Sequence, residues 1–376
     1  MTQFHWFLPS SGDGRNITDA LDGKADVSIA RPVSIKYLAE VAQAAENVGF
    51  VGALTPTGTG CDEAWILGSA VVQHTQKIKP IIAFRPSSIA PAWAAHTAAT
   101  FQRMADDRLI INIVTGGNPG EQRALGDFLG HDQRYARTDE FLEIFNRCFD
   151  YDPFDFEGDH FKVEQASLLI EANRPPVYFG GASPAAVEVA AKHVDCHLMW
   201  GEPREQLIER IAIVKAAAAA QGRHVRPGIR LLIIARDTSD EAWAVADRLL
   251  DSMDEQTMAQ AREYFSKMDS VGQSRMTALI DNASLTTKDL EIEPTLWAGP
   301  ALVRDGAGTA VVGNYDEVAA KLADYIDIGF EEFILSGYPH LEEAWAVGQG
   351  LLPELRRRGL VADLGARGSE PVFTFR

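Results

Sequence analysis

Cysteine is scarce in this sequence: three residues, Cys61, Cys148 and Cys196, in a chain of 376. An odd and sparse set builds no disulfide framework and suits a reducing cytoplasm. CxxC and HExxH are both missing, so no dedicated metal site is expected. Basic charge is short as well. Lys and Arg number 35 against 53 Asp and Glu, a net charge of −18. That balance speaks against nucleic acid and against an anionic membrane surface, since both need a basic face. An anionic ligand would have to be drawn in by local arginines against the overall field. No apolar run reaches the ~18 residues of a membrane span. "MTQFHWFLPSSGDG" has neither the basic start nor the long apolar stretch of a secretory leader. "NIT" at Asn16 therefore reads as a chance match to a glycosylation sequon, and the expectation is a cytoplasmic protein. A GxGxxG fingerprint is missing too. "GAGTAVVG" (Gly306–Gly313) comes closest with the wrong spacing, which leaves an open, doubly wound dinucleotide-binding sheet as the second-ranked fold.

What the sequence holds is apolar mass in a regular order. Hydrophobic residues make up 46% of the chain and charged ones 23%, enough for the large core of a soluble enzyme. "FHWFLP" (Phe4–Pro9) reads as a first strand, followed by a long loop and a helix over Ser34–Asn47. "VGALTP" is a second strand, with a helix from Asp62. "KPIIAF" (Lys79–Phe84) is a third, followed by an Ala-rich helix from Ala92. "RLIINIVTGG" (Arg108–Gly117) is a fourth, and its nearly continuous apolar run suits a strand buried on both faces. "ARTDEFLEIFNRCF" is helical, with Phe141, Ile144, Phe145 and Cys148 on one stripe, so Cys148 belongs to the core. "FDFEGDHFKVE" reads as a hairpin. "PPVYFGGAS", "DCHLMWGEP" and "GIRLLIIARDT" are strands five to seven, leading into "PAAVEVAAK", Arg204–Ala219 and Ser239–Leu250. The pattern is then interrupted over about residues 254–312, longer than most connections in compact domains. "EEFILSGYPH" (Glu331–His340) is the eighth strand and "LEEAWAVGQGLLPEL" the eighth helix. These alternations, with no break in composition, predict an α/β fold: one (β/α)8 TIM barrel over residues 1–376 with a long insertion between strands 7 and 8.

In such a barrel the chemistry sits where the strands end. The loop leaving strand 2, "LTPTGTGCDEAW" (Leu54–Trp65), brings Cys61 there. Taken alone, that loop also fits a packing cysteine beside a helix capped by Asp62. The other strand ends gather polar and glycine residues: "PSSGDG", "TGGNPG", "GGAS", "WGEP" and "SGYPH". "YFGGASPAAVEVA" runs a strand through Gly181 into Ser183, with Pro184 in the first turn of a helix. Free backbone N–H groups and the helix dipole at that point suit a phosphate. "NIVTGGNPGEQ" can present Asn112 and Thr115 to a planar cofactor, or it is only a strand stop.

Longer strings carry a resemblance over about Phe4 to Leu355: "HWFLPSSGDG", "PTGTGCDEAW", "FRPSSIAP", "NIVTGGNPGE", "YFGGAS", "MWGEP", "GIRLLIIAR", "DSVGQSRM", "LWAGPALVRDGAGTAVVG" and "ILSGYPHLEEAW". With these the chain resembles the alkanesulfonate monooxygenases of the bacterial luciferase-like flavin monooxygenases. The resemblance implies an enzyme that takes reduced FMN from a separate NAD(P)H:FMN reductase, met transiently, and uses O2 to oxygenate the carbon bearing a sulfonate. The C–S bond then breaks, giving an aldehyde and sulfite. It further implies a homo-oligomer, a dimer or a tetramer. Carried over residue by residue, the active-site cysteine is Cys61, the two sulfonate-side arginines are Arg230 and Arg304, the active-site tyrosine is Tyr338 and the pocket tryptophan is Trp200. His340 joins the substrate side. The flavin phosphate site matches Tyr135, Gly181 and Ser183, with Asn112 and Thr115 near the isoalloxazine. Cys61 is expected to position the oxygen-charged flavin through a weak hydrogen bond and not to act as a nucleophile. The insertion can serve as a lid that keeps water out, and Arg304 on it would couple closure to an anionic substrate.

Two departures bear on the substrate. Where the family has a histidine in the strand 1 loop, this chain has Ser11, in a loop (Ser10–Ile29) that looks several residues longer than the family pattern. Where the family has a histidine two residues after the strand 7 arginine, this chain has Leu232, which faces the same way as Arg230 on a strand. Both Ser11 and Leu232 are therefore substrate-pocket candidates. The changes leave the cofactor residues in place and admit a sulfosugar such as sulfoquinovose beside a simple alkanesulfonate. Two other functions stay open: a luciferase-like flavin monooxygenase of a non-sulfonate substrate, and a non-catalytic flavin-binding barrel.

Overall fold

A computed structural model describes residues 2–20, 31–280 and 286–361. Eight parallel strands close into a ring: β1 Gln3–Phe7, β2 Gly52–Thr55, β3 Lys79–Phe84, β4 Ile110–Ile113, β5 Val177–Gly180, β6 Cys196–Trp200, β7 Arg226–Arg236 and β8 Glu332–Ser336. Each pairs with the next, and β8 closes on β1 through Gln3↔Glu332, Phe4↔Phe333 and His5↔Ile334. The chain thus forms the (β/α)8 barrel. Among the described residues no helix is long and apolar enough to cross a membrane.

The period of two in each strand sorts side chains between lumen and helix layer. Phe7, Leu54, Ile81, Ala83, Ile110, Tyr178, Cys196 and Ile334 fill the lumen. Their strand neighbours Phe4, Trp6, Ile82, Phe84, Ile111, Phe333 and Leu335 pack outward against the helices. Local chemistry fixes where those helices start. Ser34 caps Ile35–Val48 by accepting from Tyr37 N–H, and Gly49 closes that helix at φ 108°. Thr238 and Glu241 form a capping box before Ser239–Asp251. Cys148 is buried in the core, as its helical stripe predicts.

The interruption after β7 is more structured than its sequence suggests. It holds helices Glu255–Ser266 and Val271–Ala278 and a short antiparallel pair, Glu291–Glu293 with Leu296–Trp297. Residues 281–285 of the expected lid, and 21–30 of the strand 1 loop, lie outside the described residues. "GAGTAVVG", the near-match to a nucleotide loop, instead feeds a further parallel strand, Ala310–Asn314, followed by the helix Tyr315–Asp327. β7 has 11 residues, and its lower part pairs with β6 up to Trp200↔Arg230. The added strand takes over β7 from Ala310↔Leu232 to Asn314↔Arg236. A five-residue strand, AVVGN, with three apolar side chains behind glycines, is too short to be read reliably from periodicity.

Candidate active site

The two arginines expected at the sulfonate meet above the lumen. Arg230 projects inward from β7 with its guanidinium 4.5 Å from the Phe7 ring centroid. It is 6% exposed. Its Nη1 donates to Ser336 Oγ at 2.9 Å and to Leu231 O at 3.0 Å, and its buried Nη2 has no partner. Arg304 arrives from the insertion, 5.6 Å from the same ring, and its Nη1 donates to the Tyr338 hydroxyl. Among the described residues neither arginine forms a salt bridge. Burial, and then the charge of Arg304, push Arg230 down to about 9. Two cations held together without a carboxylate salt bridge among the described residues raise the local potential, and an anion between them would relieve it.

Cys61 lies within reach of the charge of Arg304. Its loop is tied to the end of β1 by Asp62 N–H donating to Ser10 O at 2.9 Å. Ser10 is buried and its hydroxyl lies against the thiol; Ser11 is exposed. The structure therefore puts Ser10, and not Ser11, beside Cys61. Burial raises the thiol pKa above 9.0, the Ser10 contact and Arg304 working against that and Asp305 and Glu121 with it. A neutral thiol is the form present at pH 7, which fits a hydrogen-bonding role better than nucleophilic attack. Cys61 is the partly exposed cysteine; Cys148 and Cys196 are buried. Iodoacetamide should therefore modify Cys61 first, slowly at pH 7, with a rate that climbs only above pH 9. Rapid alkylation at pH 7, followed by peptide mass spectrometry, would contradict the raised pKa.

The opposite side of the rim offers a cradle. Ser183 caps Pro184–His193 by accepting from Ala186 N–H at 3.2 Å, and its hydroxyl lies against that of Tyr135. Gly181 has φ 144°, and a Cβ there would stand 3.0 Å from the Tyr135 oxygen and 2.5 Å from Ala186 Cβ. The glycine is thus required for the close approach of backbone and tyrosine. On β4 and just beyond it, Asn112 Oδ1 and Thr115 Oγ1 are buried without a partner. Buried polar atoms are ordinarily satisfied, so this pair fits a ligand that carries complementary groups.

The insertion docks over the mouth at defined points. Gly272, in the helix Val271–Ala278, rests on the Trp200 ring; a Cβ there would come within 2.9 Å of Cζ3. Gln273 Oε1 accepts from Gly306 N–H at 3.0 Å. Asp269 receives Arg134 Nη2 on both oxygens at 2.8 Å. Glu202, after β6, is 1% exposed and receives Arg210 and, from the insertion, Arg275.

His340, expected on the substrate side, stacks edge-on with Tyr338 at 4.9 Å. Its Nδ1 shares a 2.8 Å hydrogen bond with Asp13 Oδ1, and its buried Nε2 has no partner. Burial alone would raise the Asp13 pKa, but the charge and hydrogen bonds of His340, with the Tyr37 hydroxyl, hold it below 3.8. Leu232 packs in an apolar cluster with Tyr338, Ile17, Trp297 and Val303, one step above Arg230.

The model of the luciferase-like monooxygenases matches residues 2–332 of this barrel. The chain belongs to the luciferase-like monooxygenase family. Its fold is shared with solved proteins of distant sequence. An EDTA monooxygenase from Chelativorans sp. BNC1 superposes with a TM-score of 0.77 at 19% identity, over 96% of this chain and 94% of that one. DmoA from Hyphomicrobium sulfonivorans gives 0.77 at 18%, over 98% and 91%. A riboflavin lyase solved with a modified FMN and riboflavin gives 0.76 at 18%, over 96% and 93%. At such identities the likeness is one of fold. Within this luciferase-like barrel, Phe7, Ser10, Asp13, Ser336, Glu202, Gln273 and Asp305 join the site without having been singled out from sequence. Asp13 and Glu202 sit inside the quoted strings "PSSGDG" and "WGEP", so their position at strand ends was the available signal.

Proposed function

We propose that the protein is a two-component monooxygenase that uses reduced FMN and O2 to cleave the C–S bond of an organosulfonate, an alkanesulfonate or a sulfosugar such as sulfoquinovose. The observation that carries the reading is the arginine pair: Arg230 and Arg304 gather at Phe7 with no carboxylate salt bridge among the described residues. A neutral substrate needs no such pair, and forked guanidinium donors suit sulfonate oxygens. The orphaned Asn112 and Thr115 oxygens and the Ser183–Tyr135 cradle fit FMN, the phosphate lying at the helix N-terminus. A riboflavin lyase of the same fold was solved with a modified FMN.

Reduced FMN, held by Ser183, Tyr135, Asn112 and Thr115, would supply two electrons and activate O2. The protein's own groups hold and orient. Arg230 and Arg304 grip the sulfonate, the Tyr338 hydroxyl hydrogen-bonds the oxygen gained by the carbon, and the neutral Cys61 thiol points at the reacting face. The docked insertion excludes water. One O2 oxygen ends in the aldehyde and the other in water, while the sulfur leaves with the C–S electron pair as sulfite and FMN is released oxidised. A separate reductase returns it to the reduced form.

The test is sulfite release from a sulfonate panel, with chemically reduced FMN and O2 in single turnover. Sulfite near one equivalent per reduced FMN supports the reading. Oxidation of FMN without sulfite from any sulfonate would favour a non-sulfonate substrate, and reduced-FMN binding without substrate turnover a carrier. Two further results are expected. The purified protein with FMN should not consume NADH by itself, as an absorbance trace at the nicotinamide band will show. Ser183→Ala should weaken reduced FMN by about 1–2 kcal/mol, near the low end for a lost hydrogen bond to a charged group; unchanged affinity by titration removes Ser183 from the phosphate site.

A further inference from the structure

Asp13, in the loop that leaves β1, is fully buried and its carboxylate accepts on every side. Oδ1 accepts from Gly14 N–H at 2.9 Å and from His340 Nδ1 at 2.8 Å. Oδ2 accepts from the His340 backbone N–H at 2.8 Å and from the Tyr37 hydroxyl. A carboxylate with donors at all its lone pairs is ionised and has no proton of its own to give. The proton in the bond between Asp13 and the imidazole therefore belongs to His340 Nδ1. In the neutral ring Nε2 then carries the lone pair and no proton. Tyr37 belongs to the outer helix Ile35–Val48, so Asp13 approaches the imidazole from the helix layer. Nε2, across the ring from Nδ1, turns the other way, toward the lumen. There the imidazole meets the lumen residue Phe7, ring centroids 5.5 Å apart, and the Tyr338 ring at 4.9 Å. The arginines rest on these same two rings: Arg230 and Arg304 over Phe7, and Arg304 over Tyr338. Nε2 is buried there with no partner, and an unpartnered buried acceptor is uncommon.

We propose that His340 Nε2 is the general base of the desulfonation and that Asp13 positions it. The inference rests on the sulfonate reading above and supplies the proton acceptor which that reaction needs. A sulfonate on a CH2 carbon, O2 and reduced FMN give an aldehyde, sulfite, water and oxidised FMN, with a proton left over. Once the carbon has gained its oxygen as a hydroxyl, the O–H and C–S bonds break together. The O–H pair becomes the second C–O bond, the C–S pair leaves on sulfur as sulfite, and the proton passes to His340 Nε2. The charge of Asp13 then stabilises the imidazolium, while the bond to Nδ1 keeps the ring in place. Other groups nearby are less suited. Arg230 and Arg304 are cations, the Cys61 thiol is neutral and Leu232 is an alkyl group. Asp305 is exposed to water, and Glu121 is taken up by Arg85 Nη2 at 2.6 Å and Thr59 N–H at 2.6 Å.

The experiment has two readouts on the whole protein. The first is nitrogen NMR with isotope-labelled histidine, the His340 signals being assigned by their loss in His340→Gln or His340→Asn. In the wild type Nδ1 should be protonated and Nε2 bare. The second is single turnover with chemically reduced FMN, O2 and a sulfonate that the wild type cleaves. His340→Gln keeps an amide donor for Asp13 and removes the base. Its rate of sulfite release should fall about 100-fold or more, the worth of a positioned base. KM for the sulfonate and reduced-FMN affinity should stay within about threefold of wild type, a split that general loss of structure would not give. Asp13→Asn, which removes the charge behind the imidazole, should show a smaller drop of the same kind. Sulfite release by His340→Gln within about threefold of wild type, a loss confined to KM, or a wild-type Nε2 that carries the proton overturns the assignment and leaves the sulfonate reading intact. Absence of sulfite from every sulfonate in the wild type overturns that reading, and this inference with it.

Discussion

Arg304→Ala is expected to lower kcat/KM for sulfite release by about 100-fold or more, the scale of truncating one member of a desolvated, hydrogen-bonded charge set. Three losses coincide. The sulfonate loses one of two forked donors. The Tyr338 hydroxyl loses the guanidinium that holds it. Arg230, itself without a carboxylate, becomes the single cation over Phe7. Reduced-FMN affinity should change little, because the Ser183–Tyr135 cradle is built from the helices that follow β4 and β5. Arg304→Lys should recover part of the activity at most, since an ammonium lacks the planar fork that reaches both an anion and a phenol. If the insertion closes on the substrate through this residue, a sulfonate should slow proteolysis of the residue 254–312 segment in the wild type and not in Arg304→Ala. Sulfite production by Arg304→Ala within threefold of wild type would show that the residue stands outside the site, and the case for a sulfonate would then rest on Arg230.

How much of this was legible in the sequence depended on whether the signal was local. β3 spans Lys79–Phe84 as read from "KPIIAF", because an apolar run between polar turns is self-contained. β4 is confined to Ile110–Ile113, shorter than its apolar run, since the chain already turns at Gly116 with φ 87°. The strand Ala310–Asn314 was hidden because five residues carry too little pattern. At the site, strand-end position located Cys61 and Ser183, whereas Arg230, inside β7, came from the family resemblance alone. Which neighbour faces inward was not legible: Ser10 is buried and Ser11 exposed, and only the turn at the end of β1 decides between them. Leu232 does share the facing of Arg230, but the added strand and the insertion bury it at 1% exposure. Partnerships such as Asp13–His340, separated by 327 residues, leave no trace in spacing at all.

The largest effect on stability is expected at Glu202. This carboxylate is 1% exposed and bridges two arginines from different parts of the chain: Arg210, on the helix Arg204–Ala220 that follows β6, and Arg275, on the insertion helix Val271–Ala278. Arg275 Nε donates to Glu202 Oε2 at 2.8 Å. Removing one member of a buried ion pair leaves its partners charged and unmatched, at a cost of about 3–5 kcal/mol. Arg275 is 34% exposed in its side chain and can turn to water, so Glu202→Ala should fall near the lower end, about 3 kcal/mol. Glu202→Gln should cost less, as the amide oxygen still accepts from one arginine. The location of the loss is the sharper readout. Arg210 remains on the barrel, whereas Arg275 is one of the few tethers of the insertion. Glu202→Ala should therefore raise amide exchange and protease cleavage around residues 254–280 before the barrel strands loosen. Because that segment carries Gln273 and covers Trp200, sulfite yield per reduced FMN should drop as water reaches the site, with peroxide appearing in its place. Uniform loosening of barrel and insertion, or a melting temperature equal to wild type, would show that Glu202 does not tether the cover.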